Sequence, residues 1–204
     1  GNAARCVAQL LIAETGEDTI RLETMGGPIV CSERADGLVT VDMGPPRFEW
    51  KEVPLSSVTD TNRFSLGVDG VSVEASAVSV GNPHCVIFVG DAEAAPVAEV
   101  GPLIEHHPLF PERTNVEFAT VQTRSRVRMR VWERGAGITQ ACGTGACATA
   151  VAAARRGLTD RIVDVVLDGG TLRIEWRESD GHILMTGPAT LAWRGEIDLA
   201  AARR

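Results

Sequence analysis

The sequence predicts an α+β fold built of two β-rich layers, each wrapped around a central helix, and three observations predict it. Short strand-like runs far outnumber helical segments. The two clear helices, at the start of the chain and near residue 150, are alanine-rich around their circumference, as buried helices are. Both helices begin alike: "GNAARCVA" at residues 1–8 resembles "GTGACATA" at 143–150. Strands do not alternate with helices, so a doubly wound parallel sheet is not expected.

Gly1 to Ala13 reads as a helix with Val7, Leu10 and Leu11 on one face. The runs "TIRLET", "PIVCSE" and "LVTVDM" follow, separated by the hairpin signals Gly-Gly and Asp-Gly. Pro45 and Pro46, with the polar stretch to Asn62, suggest a crossover. "RFSLGV", "VSVEASAVSV" and "CVIFVG" continue the strands, a short helix starts near Pro96, and "EHHPLFPERTN" is a loop. "VEFATVQ" and "RVRMRVWER" form a strand pair, and the second long helix runs from about Thr144 to Arg156. "RIVDVVLDGGTLRIEWRE" is a hairpin about Gly169 and Gly170, followed by closing strands in "HILMTG" and "ATLAWRGEIDL".

With 204 residues, 44% hydrophobic and 23% charged, the chain can bury a sizeable core. A net charge of −7 disfavours nucleic acid or an anionic membrane as partner. The alternating arginines 124, 126, 128 and 130 therefore read as a strand with one solvated face. No apolar run is long enough to cross a bilayer as a helix. Five cysteines (6, 31, 85, 142, 147) and no visible secretory signal suggest a reducing, cytoplasmic setting. No cysteine pair has metal-site spacing, so no metal is expected. Lys51, the only lysine, lies in the crossover, and no pyridoxal-phosphate or other cofactor is indicated.

Cys6, Cys31, Cys85 and Cys147 read as small buried hydrophobes. Cys142 does not, because it stands directly before a helix start with glycines around it. A helix N-terminus leaves main-chain N–H groups unpaired and favours negative charge. A thiol there is expected to have a lowered pKa, and the N–H groups of Gly143 and Thr144 could hold a carboxylate. Two such helix ends facing one another would clamp one carboxylate and set a thiol on each face of the adjacent carbon. That arrangement suits proton removal from one face and return on the other. By symmetry with Cys142, a second cysteine would immediately precede Gly1.

"GNAARC", "GNPHC" (81–85), "PERTNVEF" (111–118) and "ERGAGITQACGTGACA" (133–148) occur in the order found in the diaminopimelate epimerase family, which the chain resembles over most of its length. The resemblance implies two pseudo-symmetric halves, each a barrel-like antiparallel or mixed β layer around a central helix, with the first half truncated. It implies residues 1–44 as the remainder of the N-terminal half, 45–190 as the C-terminal half and 191–204 as a closing strand returning to the first. It implies conversion of LL-2,6-diaminopimelate to the meso form, without cofactor, in lysine and peptidoglycan precursor biosynthesis. Cys142 matches one catalytic thiol, while the other would precede Gly1 and is outside this chain. The chain alone is therefore expected to be inactive. Gly1, Asn2, Gly143 and Thr144 match the carboxylate-holding helix ends, and Asn82, Asn115, Glu133 and Arg134 match substrate contacts. His84 and Glu133 match groups that adjust thiol protonation, and a homodimer is compatible with the pattern.

Two departures stand out: the family's upstream "NDF" and "FNxDGS" motifs are absent, and Ile138 replaces a more usual Glu. The rival isomerase is a proline or hydroxyproline racemase, which would have less use for a buried Arg134. The rival from another class is a hydrolase with Cys142 as nucleophile and His84 as its base. Blander readings make His84 a turn residue, Asn115 a partner of its own loop, and Glu133 and Arg134 an exposed strand end.

Overall fold

A computed structural model describes residues 1–24, 27–191 and 195–196. Among them are three helices, α1 (Asn2–Thr15), α2 (Val97–Glu105) and α3 (Gly143–Arg155). The strands are β1 (Thr19–Thr24), β2 (Gly27–Glu33), β3 (Val39–Asp42), β4 (Phe64–Val68), β5 (Val71–Ser79), β6 (Pro83–Phe88), β7 (Asn115–Thr123), β8 (Arg126–Glu133), β9 (Gly137–Ile138), β10 (Ile162–Leu167), β11 (Gly170–Trp176) and β12 (Ile183–Gly187). The fold is α+β, with one large mixed sheet. Its order is β1-β2-β3-β12-β11-β10-β8-β7-β6-β5-β4, and β9 is attached to β8. Among the described strands, only the pairs β6–β7 and β8–β10 are parallel.

The sheet curls around α3, which packs on β5 to β8 and on β10 to β12. Ten of its thirteen residues are buried, and alanine and glycine make that close fit possible. α1 lies over β1, β2 and β3. Its sequence suggests burial all round, but only Arg5, Ala8 and Ile12 are buried, while Val7 and Leu10 are 44% and 51% exposed. The reason is coverage: three strands cover one side of α1, where seven surround α3. On the sheet's other face, α2 packs on β4, β7, β8 and β9 over a second core containing Leu66, Ile87, Ile104 and Phe118.

The two ends of the chain share this sheet through β12, whose register against β3 runs from Leu184 opposite Asp42 to Gly187 opposite Val39. The closing strand expected over 191–204 lies largely outside the described residues. Arg128 and Arg130 are not simply solvated: Arg128 pairs with Glu93 at 2.5 Å and with Asp168, and Arg130 approaches Asp168 at 3.9 Å. Among the described residues, no helix is long and apolar enough to cross a membrane.

Candidate active site

Cys142 is the N-cap of α3, in extended geometry with φ −117° and ψ 107°. Its Sγ accepts from the N–H of Gly145 at 3.3 Å and lies 3.5 Å from Thr144 Oγ1. The expected position is therefore observed, but the expected acidity is reversed. Cys142 is only 5% exposed, and burial pushes its thiol up to about 12, with the Glu117 and Glu133 carboxylates adding to the rise. The N–H of Gly145 and the Thr144 hydroxyl pull the other way and do not prevail.

Those carboxylates arrive from strands remote in sequence. His84 pairs in register with Asn115 across the parallel β6–β7 ladder, so Glu117, two residues on, shares the face of Asn115. His84 and Glu117 have no exposed surface, and His84 Nδ1 lies 2.6 Å from Glu117 Oε1. Burial raises the Glu117 pKa against the pull of His84. His84 Nε2 meets Asn82 Oδ1 at 3.0 Å, and Asn82 Nδ2 donates to Thr144 Oγ1 at 3.4 Å. His84 is thus not a free turn residue, and its hydrogen-bonded route toward the sulfur runs through Asn82 and Thr144.

The start of α1 converges on the start of α3. A Cβ on Gly143 would stand 3.1 Å from Asn2 Oδ1 and 3.1 Å from Met185 Sδ. A Cβ on Gly1 would collide with the Met185 methyl group. Buried Arg5 braces this junction, donating to Asn2 Oδ1 at 3.1 Å, to the Pro188 carbonyl at 3.3 Å and to Met185 Sδ at 3.6 Å. Two sets of helix-terminal N–H groups, which have no intrahelical partners, therefore come together.

Glu133 and Arg134 lie where β8 turns into β9, with Glu133 opposite Gly137. Glu133 is half-buried and accepts from the Thr139 hydroxyl. The guanidinium of Arg134 is exposed and donates to the Glu112 carbonyl at 3.0 Å, so it is not the buried group expected from the sequence. Asn115 is buried, and both ends of its amide have internal partners: Nδ2 donates to the Pro83 carbonyl, and Oδ1 accepts from the Arg134 N–H, each at 3.0 Å. Its direct effect is to pin the main chain of Arg134. Glu105, at the end of α2, accepts from Trp132 Nε1 at 2.7 Å and from the Gly135 N–H at 2.9 Å, fixing the same turn.

The structure thus gathers Asn82, His84, Cys142, Gly143 and Thr144, brings Gly1 and Asn2 to Gly143, and sets Glu133 and Arg134 on an adjoining turn. A cavity of about 780 Å³ lies beside α1, bordered by Val7, Leu22, Asp42, Arg47 and His182, and of the predicted site residues it touches Gly1 alone. Glu117, Glu105, Arg5 and Met185 escaped the sequence reading. The one available signal was Glu117, a charge between Val116 and Phe118 in an apolar strand. Of the cysteines read as buried, Cys6 is exposed on the uncovered side of α1, while Cys31, Cys85 and Cys147 are buried.

Residues 76–192 match the family model described as diaminopimelate epimerase. The chain is 55% identical to the diaminopimelate epimerase of Rhodospirillum centenum, covering 97% of this chain and 67% of that protein. It is 52% identical to the diaminopimelate epimerase of Phenylobacterium zucineum, covering 97% and 72% respectively. Among solved structures, a probable proline racemase from Agrobacterium radiobacter K84 superposes with a TM-score of 0.69 at 15% identity, over 98% of this chain and 67% of that one. At that identity the likeness concerns the fold.

Proposed function

The chain belongs to the diaminopimelate epimerase family, and from that premise we propose that it carries one half of a two-base amino-acid epimerase acting on LL-2,6-diaminopimelate. The observation that carries this reading is the convergence of Gly1 and Asn2 with Gly143 at the starts of two helices, with Cys142 capping one of them. The main-chain N–H groups there hold the carboxylate of the reacting centre and stabilise the charge that develops as the α-proton leaves.

Cys142 holds its proton in the resting state, given a thiol pushed up to about 12. It therefore acts as the donor to one face of the α-carbon while a thiolate on the opposite face removes the other proton. The Gly145 N–H and the Thr144 hydroxyl then hold the Cys142 thiolate that remains. His84 and Glu133 adjust that protonation, Asn82 orients Thr144, and Arg134, its main chain pinned by Asn115, meets the distal carboxylate. The opposing thiol is a cysteine immediately ahead of Gly1 in the family pattern, so the 204-residue chain alone has one of the two groups.

The test supplies the other half. The 204-residue chain, and a chimera joining it to the segment of the Rhodospirillum centenum relative that aligns ahead of Gly1, are incubated with LL-diaminopimelate in D2O. Epimerisation with deuterium at the α-carbon is expected from the chimera and not from the chain alone. A folded but silent chimera overturns the function, and turnover by the chain alone overturns the two-base assignment.

A further inference from the structure

Behind Cys142 runs a hydrogen-bond path whose donors all point toward the sulfur. Asn82 donates Nδ2 to Thr144 Oγ1, which leaves its Oδ1 to accept from His84 Nε2. Thr144, having accepted from Asn82, has its own hydroxyl proton free to donate to Cys142 Sγ. His84 Nε2 therefore carries a hydrogen, and a single proton occupies the 2.6 Å bond between His84 Nδ1 and Glu117 Oε1.

The path then returns to its starting point. From where a Cβ on Gly145 would sit, Glu117 Oε1 is 2.9 Å away and Cys142 Sγ is 3.2 Å away. The carboxyl at one end and the thiol at the other are thus neighbours across a missing side chain. The second carboxyl oxygen, Glu117 Oε2, is buried and has no hydrogen-bond partner among the described residues. A buried carboxyl oxygen left unpaired is costly and marks a group kept for more than packing. The other titratable groups around the pair are Cys85 on β6, Glu133 on β8, Cys147 on α3 and the amino group of Gly1.

We propose that Glu117 is a positioning residue for Cys142: with His84 it holds one movable proton and sets the direction of the path that aims the Thr144 hydroxyl at the sulfur. This rests on the reading of Cys142 as an acid/base group. With the shared proton on Glu117 Oε1, Glu117 places no like charge beside the sulfur, only that of Glu133 remains, and the thiolate is favoured. With the proton on His84 Nδ1, a carboxylate faces the sulfur and the thiol is favoured. One proton crossing a single hydrogen bond thus biases the protonation of Cys142, with no change in the pair's net charge.

The experiment uses the 204-residue chain and does not depend on turnover. Alkylation of Cys142 by iodoacetamide is followed against pH by peptide mass spectrometry, with exposed Cys6 as internal reference. Glu117→Gln still bonds His84 but cannot offer a carboxylate, so the Cys142 midpoint is expected to move down by about one pH unit, about tenfold in reactivity at fixed pH. Glu117→Asp is expected to restore part of that difference. In the unaltered chain, NMR should find a far-downfield proton correlated with His84 Nδ1, and Glu117→Gln should abolish it. An unmoved midpoint in folded Glu117→Gln, or no such resonance in the unaltered chain, overturns the proposal. A shifted midpoint beside a silent chimera upholds it and sinks the epimerase reading instead.

Discussion

Gly1 and Gly143, at the starts of two helices far apart in sequence, share the thioether of Met185 as a neighbour. The junction has no spare room. Gly143→Ala is expected to destabilise the chain by about 1–3 kcal/mol, because the new methyl presses on Asn2 and Met185 within a packed core. Urea unfolding of Gly143→Ala, Met185→Ala and the double variant checks it. The double variant should be more stable than the sum of the two losses, since the shorter side chain gives the methyl its space.

Glu105 carries the turn that presents Arg134. Glu105→Ala leaves Trp132 Nε1 and the Gly135 N–H without their acceptor, at an expected cost of about 1–3 kcal/mol. Amide exchange at Gly135 should rise by more than the global loss of stability predicts. Equal protection in both chains would show that the turn does not depend on this carboxylate.

Alkaline pH should unfold the chain more readily than its modest size suggests. Unfolded thiols ionise near about 8.5, whereas Cys142 and Cys147 hold their protons up to about 12 in the folded state. Between these values the folded chain binds more protons than the unfolded one. Their contribution to stability is therefore complete below about 8.5 and is lost progressively as pH rises. Denaturant midpoints between about pH 7 and 11 should fall, and Cys147→Ala should flatten that fall.

Thiol labelling gives a direct map of burial. Cys6 should react with a maleimide at once at neutral pH, Cys142 far more slowly, and Cys31, Cys85 and Cys147 only on unfolding. Rapid labelling of Cys142 in the native chain would contradict its 5% exposure.

The helix starts were legible because local chemistry decides them: glycine, a small polar residue and an alanine run give α1 and α3 nearly where the sequence puts them. The cap position of Cys142 followed from the same pattern. Its acidity did not, because the groups that raise it, Glu117 on β7 and Glu133 on β8, reach it only through the sheet. Glu117 was hidden by the alternation rule: the first five residues of β7 are all buried, between α2 on one face and α3 on the other, so position within the strand gives no hint of which side meets water. Val7 and Leu10 misled in the opposite sense, since apolar periodicity marks a face to be covered without naming what covers it.

The pairing of β3 with β12 has a consequence for how the chain comes to be folded. The N-terminal hairpin and the strand after it cannot complete their sheet until Gly187 has left the ribosome, because their outer neighbour is among the last described segments to be made. Until then the edge of β3 is an open template, and assembly must wait on one of the most sequence-distant contacts in the molecule.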